Sequence, residues 1–256
     1  MAEFNTMRAA AGTRSAAIDA GLRAHMNKVY GTMSVGMLIT FAAAWALAGL
    51  AVTDVPTAYQ IGADKYLTSL GVALYASPLK WVVMFAPLVF VFAFSAMINR
   101  MSAATAQTVF YAFAAVMGVS ISSIFLVFTG YSIIQVFLIT AIAFAGLSIW
   151  GYTTKKDISA WGSFLIMGVF GLIAASLVNL FWPMPGLALA ISILGVLIFA
   201  GLTAYDTQNI KNTYLQHAHS GDTEWLGKAA IMGALNLYLD FINMFMFLLQ
   251  LLGNRE

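Results

Sequence analysis

Residues 231–252, IMGALNLYLDFINMFMFLLQLL, decide how this chain is read. The run is long enough to cross a bilayer as a helix, for which about 20 residues are needed. It nevertheless carries a carboxylate, Asp240, near its middle. Asn236, Asp240 and Asn243 recur at helical spacing and share one face, and Gln250 extends the same stripe. Leu, Ile, Met and Phe fill the other faces. An ionisable group at mid-membrane depth costs ~2.5–3.5 kcal/mol on insertion scales, so it is expected to face a bundle interior with a partner. The rest of the chain has to supply that partner.

Composition sets the class. The chain has 256 residues, 61% hydrophobic and 9% charged, where a soluble domain carries about 25% charged residues. This is the signature of a polytopic membrane protein. The fold class is all-α, because open sheet edges have no water to bond at that depth. A net charge of +2 gives no basic footprint for nucleic acid. The absence of cysteine excludes disulfides and thiol nucleophiles. The segment up to Lys28 is too polar for the apolar stretch of a signal peptide.

Apolar runs at 29–52, 81–98, 108–128, 133–150, 161–181, 187–204 and 229–252 predict seven transmembrane helices. Pro87 lies inside the second and predicts a kink. Residues 1–28 read as a cytoplasmic amphipathic segment, helical from Ala16 and lying on the membrane surface. Residues 29–256 then form one seven-helix domain. With the N-terminus inside, nine Lys and Arg residues fall on the cytoplasmic side (Arg8, Arg14, Arg23, Lys28, Arg100, Lys155, Lys156, Lys211, Lys228). Only Lys65, Lys80 and Arg255 fall outside. That bias predicts a multi-pass protein of the inner (plasma) membrane with its N-terminus inside and its C-terminus outside. The long outer loop, 53–80, holds Asp54, Asp64, Pro56 and Pro78. Small residues along the spans, among them Gly31, Gly36, Gly118, Gly168, Gly171, Gly195 and Gly201, predict close helix packing.

Few polar groups remain as candidates for chemistry. Asp206 closes the sixth span in LTAYDTQN, where a carboxylate meets the unfavourable end of the helix dipole. Sequential helices are usually neighbours, so Asp206 is placed to face Asp240. Arg100 ends the second span, either as an interfacial anchor or as counter-ion to the aspartates. Ionising both carboxylates at ~4 Å costs ~3 kcal/mol of burial plus ~4 kcal/mol of repulsion, against ~4 kcal/mol to keep one neutral at about pH 7. The pair is therefore expected to share one proton and to titrate as a unit not far from neutral pH. These span limits leave the two residues about 10–15 Å apart in depth. They meet only if the sixth helix runs past Asn209, or if the seventh is shifted or tilted.

Other chemistries find no support. A retinal Schiff base needs a lysine inside a span, and Lys228 precedes the seventh. His25, His217 and His219 fall outside the spans, away from any serine nucleophile. His217 and His219 do not share a helical face for a metal. Walker, EF-hand and dinucleotide motifs are absent.

Three stretches carry a resemblance: AFAGLSIWGYTTKKD at 143–157, TAYDTQ at 203–208 and YLDFIN at 238–243. Together with KVYG at 28–31, they resemble the Bax-inhibitor family of membrane proteins, bacterial members most of all, over residues 21–256. The resemblance implies seven helices with the last one central and wrapped by the other six. It implies a pH-sensitive calcium leak without enzyme activity or a bound cofactor, calcium being the permeant ion. It assigns the gate, and a weak transient calcium site, to Asp206 and Asp240, with Arg100 on the second helix able to engage them. Members are also linked to stress survival and to membrane proteolysis. An alternative reading is therefore a regulatory protein that binds a membrane protease through residues 1–28. A proton-coupled transporter, the third reading, usually shows related halves, and no internal repeat is seen here.

Overall fold

The computed structural model describes residues 2–62 and 65–255, with side chains described from Ile18 onward. Arg8, Arg14 and the rest of the expected N-terminal segment before Ile18 therefore lie outside the described side chains, and Asp64 lies outside the described residues. Seven long helices form: α1 (Ala2–Ala51), α2 (Leu79–Met97), α3 (Ala103–Ile121), α4 (Gly130–Thr153), α5 (Ser159–Phe181), α6 (Pro185–His217) and α7 (Thr223–Leu252). Each supplies a segment long and apolar enough to cross a membrane. The expected seven-span fold is what the chain adopts.

The helix ends follow their local sequence. Ser102, Thr129 and Asp222 cap α3, α4 and α7, each side-chain oxygen accepting a backbone N–H in the first turn. Pro185 opens α6, where its missing N–H costs no helical bond. The third span breaks at Ser122, whose hydroxyl donates back to the Val119 carbonyl at 2.6 Å and meets the Tyr75 hydroxyl at 2.7 Å. Burial pushes the Tyr75 phenol up, and that Ser122 bond partly opposes the shift. In the long loop between α1 and α2, β1 (Val52–Thr53) pairs antiparallel with β2 (Tyr66–Leu67). Helix α2 continues through Pro87, which is buried.

Two boundaries differ from expectation. No separate surface helix precedes Val29: α1 is continuous, because nothing between Ile18 and Tyr30 breaks a helix. Leu22, His25, Met26 and Val29 form its inward stripe, and the His25 ring lies 5.0 Å from that of Tyr214 on α6. Helix α6 overshoots the expected end at Ala204 and runs to His217. Consequently His25 lies inside the first span, His217 ends α6, and Lys228 sits within α7.

The core is built around α7, the most deeply buried of the spans. It packs chiefly against α1, α3, α4 and α6, while α2 rests on α3 and α5 on α6. The expected wrap by six helices is thus an inner ring of four with two outer helices. Tyr238 on α7 is fully buried, edge-on to Phe110 and Phe113 of α3. Its hydroxyl lies 2.6 Å from that of Thr40 on α1, which in turn reaches the Ala114 carbonyl at 2.9 Å. One hydroxyl pair therefore joins three helices. Gly118 lets α3 approach the Thr40 backbone of α1, and Gly151 lets α4 approach the Ala204 backbone of α6. Gly31 and Gly171, expected at helix contacts, face open space.

Candidate functional site

The overshoot of α6 creates the site. Beyond Asp206 the helix continues for about three turns before the chain reverses. The start of α7 is carried away with it, and Asp240 rises to the level of Asp206. The depth mismatch expected from the sequence closes, and the two carboxyl groups meet in side-chain hydrogen-bonding contact. Asp240 is only 4% exposed, and Asp206 is half-buried beside it. Oδ2 of Asp240 is buried with no hydrogen-bond partner.

No basic side chain neutralises the pair among the described residues. Arg100 ends a 3-10 turn after α2, exposed and with no ion pair among the described residues. Lys211, one turn beyond Asp206, donates instead to the Tyr152 carbonyl at 2.7 Å. Two acid groups in contact without a cation have one stable arrangement at low dielectric. One keeps its proton and donates it to the other. The unpaired Oδ2 leaves an acceptor for a proton, a water or a cation. Among the described residues no third His, Asp or Glu joins the two into a metal cluster.

The rest of the stripe on α7 divides. Asn243 turns its amide back to the Leu239 carbonyl at 2.8 Å, and Asn236 is half-buried one turn before Asp240. Gln250 accepts from Ser192 of α6 at 2.9 Å. Beside Asp206, Thr207 lies 3.5 Å from both the Tyr30 hydroxyl of α1 and the Ser148 hydroxyl of α4.

Gln208, part of TAYDTQ but given no role from sequence, proves structural. Its Oε1 accepts the Ile158 N–H at 3.0 Å, and its Nε2 donates to the Lys156 carbonyl at 2.8 Å. It thereby staples the α4–α5 loop to α6. Within that loop Ser159 bonds, first through its hydroxyl and then its amide, hold Asp157 below the usual carboxylate range. Gln208→Leu leaves the Ile158 N–H without its acceptor, at a cost of about 1–3 kcal/mol. Trypsin is expected to cut that variant faster at Lys155 and Lys156, as peptide mapping would show; cleavage at the wild-type rate would refute the staple.

At the same end of the bundle, His217 stacks on Trp225, with ring centroids 3.9 Å apart. Glu224 accepts the Ala103 N–H at 2.5 Å and so ties the start of α7 to the start of α3. These groups are engaged in holding the turns together.

Comparison with known proteins agrees with this architecture. Residues 22–256 match the family model described as inhibitor of apoptosis-promoting Bax1. The chain is 41% identical to the inner membrane protein YbhL of Escherichia coli, over 93% of this chain and 94% of that one. It is 43% identical to a Caulobacter vibrioides protein over 93% of this chain and 92% of the relative. A Rickettsia prowazekii protein, RP147, is 39% identical over 95% of each. With seven membrane-crossing helices and a match from Leu22 to Glu256, the chain belongs to the Bax inhibitor-1 family of multi-pass membrane proteins.

Proposed function

We propose that the protein is a pH-sensitive leak channel for calcium, gated by the Asp206–Asp240 pair. The observation that carries this reading is the contact of two carboxyl groups inside the bundle with no basic partner. With one proton shared, an acid–carboxylate hydrogen bond ties α6 to α7. Loss of that proton puts two negative charges in contact, a repulsion of ~4 kcal/mol at ~4 Å and an effective dielectric constant of about 20. The helices then separate, and the freed oxygens offer calcium its preferred ligands. Two carboxylates without a full cage suit brief binding and release. The bias of Lys and Arg supports an N-terminus inside. The printed name of the Escherichia coli relative supports an inner-membrane location.

The sign of the pH effect follows. Protonation stabilises the closed pair, so flux rises as pH rises. Purified protein in liposomes carrying a calcium indicator is expected to show efflux that increases as the pH of the series is raised and the coupled pair loses its shared proton. Efflux at the protein-free level throughout the series would reject the channel.

A further inference from the structure

A cleft of about 920 Å³ runs along one flank of the bundle between α1 and α4. Helix α1 rests chiefly on α3 and α7, and α4 on α6 and α7, with little contact between the two, which leaves a gap between their outer faces. Phe241, Ile242 and Phe245 of α7 form its floor. Its walls extend from Arg23 to Ala44 on α1 and from Ile133 to Tyr152 on α4. At 1.5 Å per residue that is about 30 Å, the thickness of a hydrocarbon core.

The lining changes along its length. Arg23, Asn27, Tyr30, Ser148 and Tyr152 crowd one end, while Ile121, Ile124 and Phe125 close the other. Of the hydroxyls between, that of Thr40 is already bonded to Ala114 and Tyr238. Arg23 is exposed and makes no ion pair among the described residues. Lys211 Nζ, on the Tyr152 carbonyl, brings a second cation to the same end.

We propose that this cleft binds an anionic phospholipid of the surrounding bilayer, one acyl chain lying between α1 and α4 and its phosphate at Arg23. An apolar slot at hydrocarbon depth does not hold water, and lipid is the solvent on its open side. The cationic end selects the headgroup: guanidinium and phosphate match in geometry as well as charge. The site is separate from the aspartate pair, and its test reads bound lipid and not ion flux.

Native mass spectrometry of the full chain, released from micelles containing dioleoyl phosphatidylglycerol or dioleoyl phosphatidylcholine, tests the proposal. The wild type is expected to retain one phosphatidylglycerol in preference to phosphatidylcholine by about fivefold, the value of one basic residue near an anionic surface. Arg23→Gln should lose most of that preference, the remainder being due to Lys211. Ala145→Trp, which fills the cleft from an exposed position on α4, should retain neither. Arg23 is exposed on its helix, so its variant folds and decides the matter even if Ala145→Trp does not purify. Retention of phosphatidylglycerol by Ala145→Trp, or a preference unchanged in Arg23→Gln, would overturn the assignment. So would wild-type dimers that Ala145→Trp abolishes, since the cleft would then hold a second copy of the chain.

Discussion

Asp240→Asn is expected to remove the pH dependence of calcium flux and to hold it at the low level of acidic pH. Asparagine has the shape of aspartic acid and donates to Asp206 as the protonated acid does, but it cannot lose that proton. The repulsion that drives opening, ~4 kcal/mol for the doubly ionised pair, is therefore never generated. Even ~1.4 kcal/mol of that bias is a tenfold change in the closed-to-open ratio, so the wild-type rise should flatten completely. Asp206→Asn should do the same, because either half of the pair suffices to prevent double ionisation. Flux measured in liposomes across the pH series checks both. A variant that keeps the wild-type profile would remove the pair from gating, even if the channel itself survived.

Gly151→Val is expected to lower the melting temperature in detergent by about 10 °C, corresponding to overpacking of ~3 kcal/mol. A side chain at Gly151 runs into the backbone of Ala204 on α6, and backbone cannot swing aside as the end of a side chain can. Helices α4 and α6 must separate, two residues from Asp206. Gly146→Val on the same helix is the control. A side chain there meets nothing within 4 Å, and valine is a better helix former than glycine, so stability should hold or rise slightly. Thermal unfolding followed by tryptophan emission would show the contrast, and equal shifts in the two variants would argue against the close approach.

The seven spans were legible because hydrocarbon thickness imposes one length and one composition on any helix that crosses it. Asp206 and Asp240 were legible by residue type, since few carboxylates stand in apolar surroundings. The end of α6 was not. Hydropathy falls after Ala204, at Tyr205-Asp206-Thr207-Gln208-Asn209, yet the helix goes on because its bonds are local and neighbouring helices cover it. Buried Gln208 and Ile210 show that cover directly. The start of α1 misled for the same reason, as a fall in hydropathy is not a helix break. Which helices touch was also beyond reach. Periodicity shows a buried face but not its partner, so the gap between α1 and α4, and the outer placement of α2 and α5, emerged only in three dimensions.

The central position of α7 has a consequence for biosynthesis. It is the last of the seven helices to leave the ribosome, yet four of the others are built around it. Until it inserts, α1, α3, α4 and α6 surround a missing post. Thr40 has no Tyr238 to bond, and Asp206 has no Asp240 to share a proton with. The nascent bundle is thus an unfinished ring with a carboxyl group on its inner wall, and arrival of the final helix is both the completion of the core and the first moment at which the aspartate pair exists.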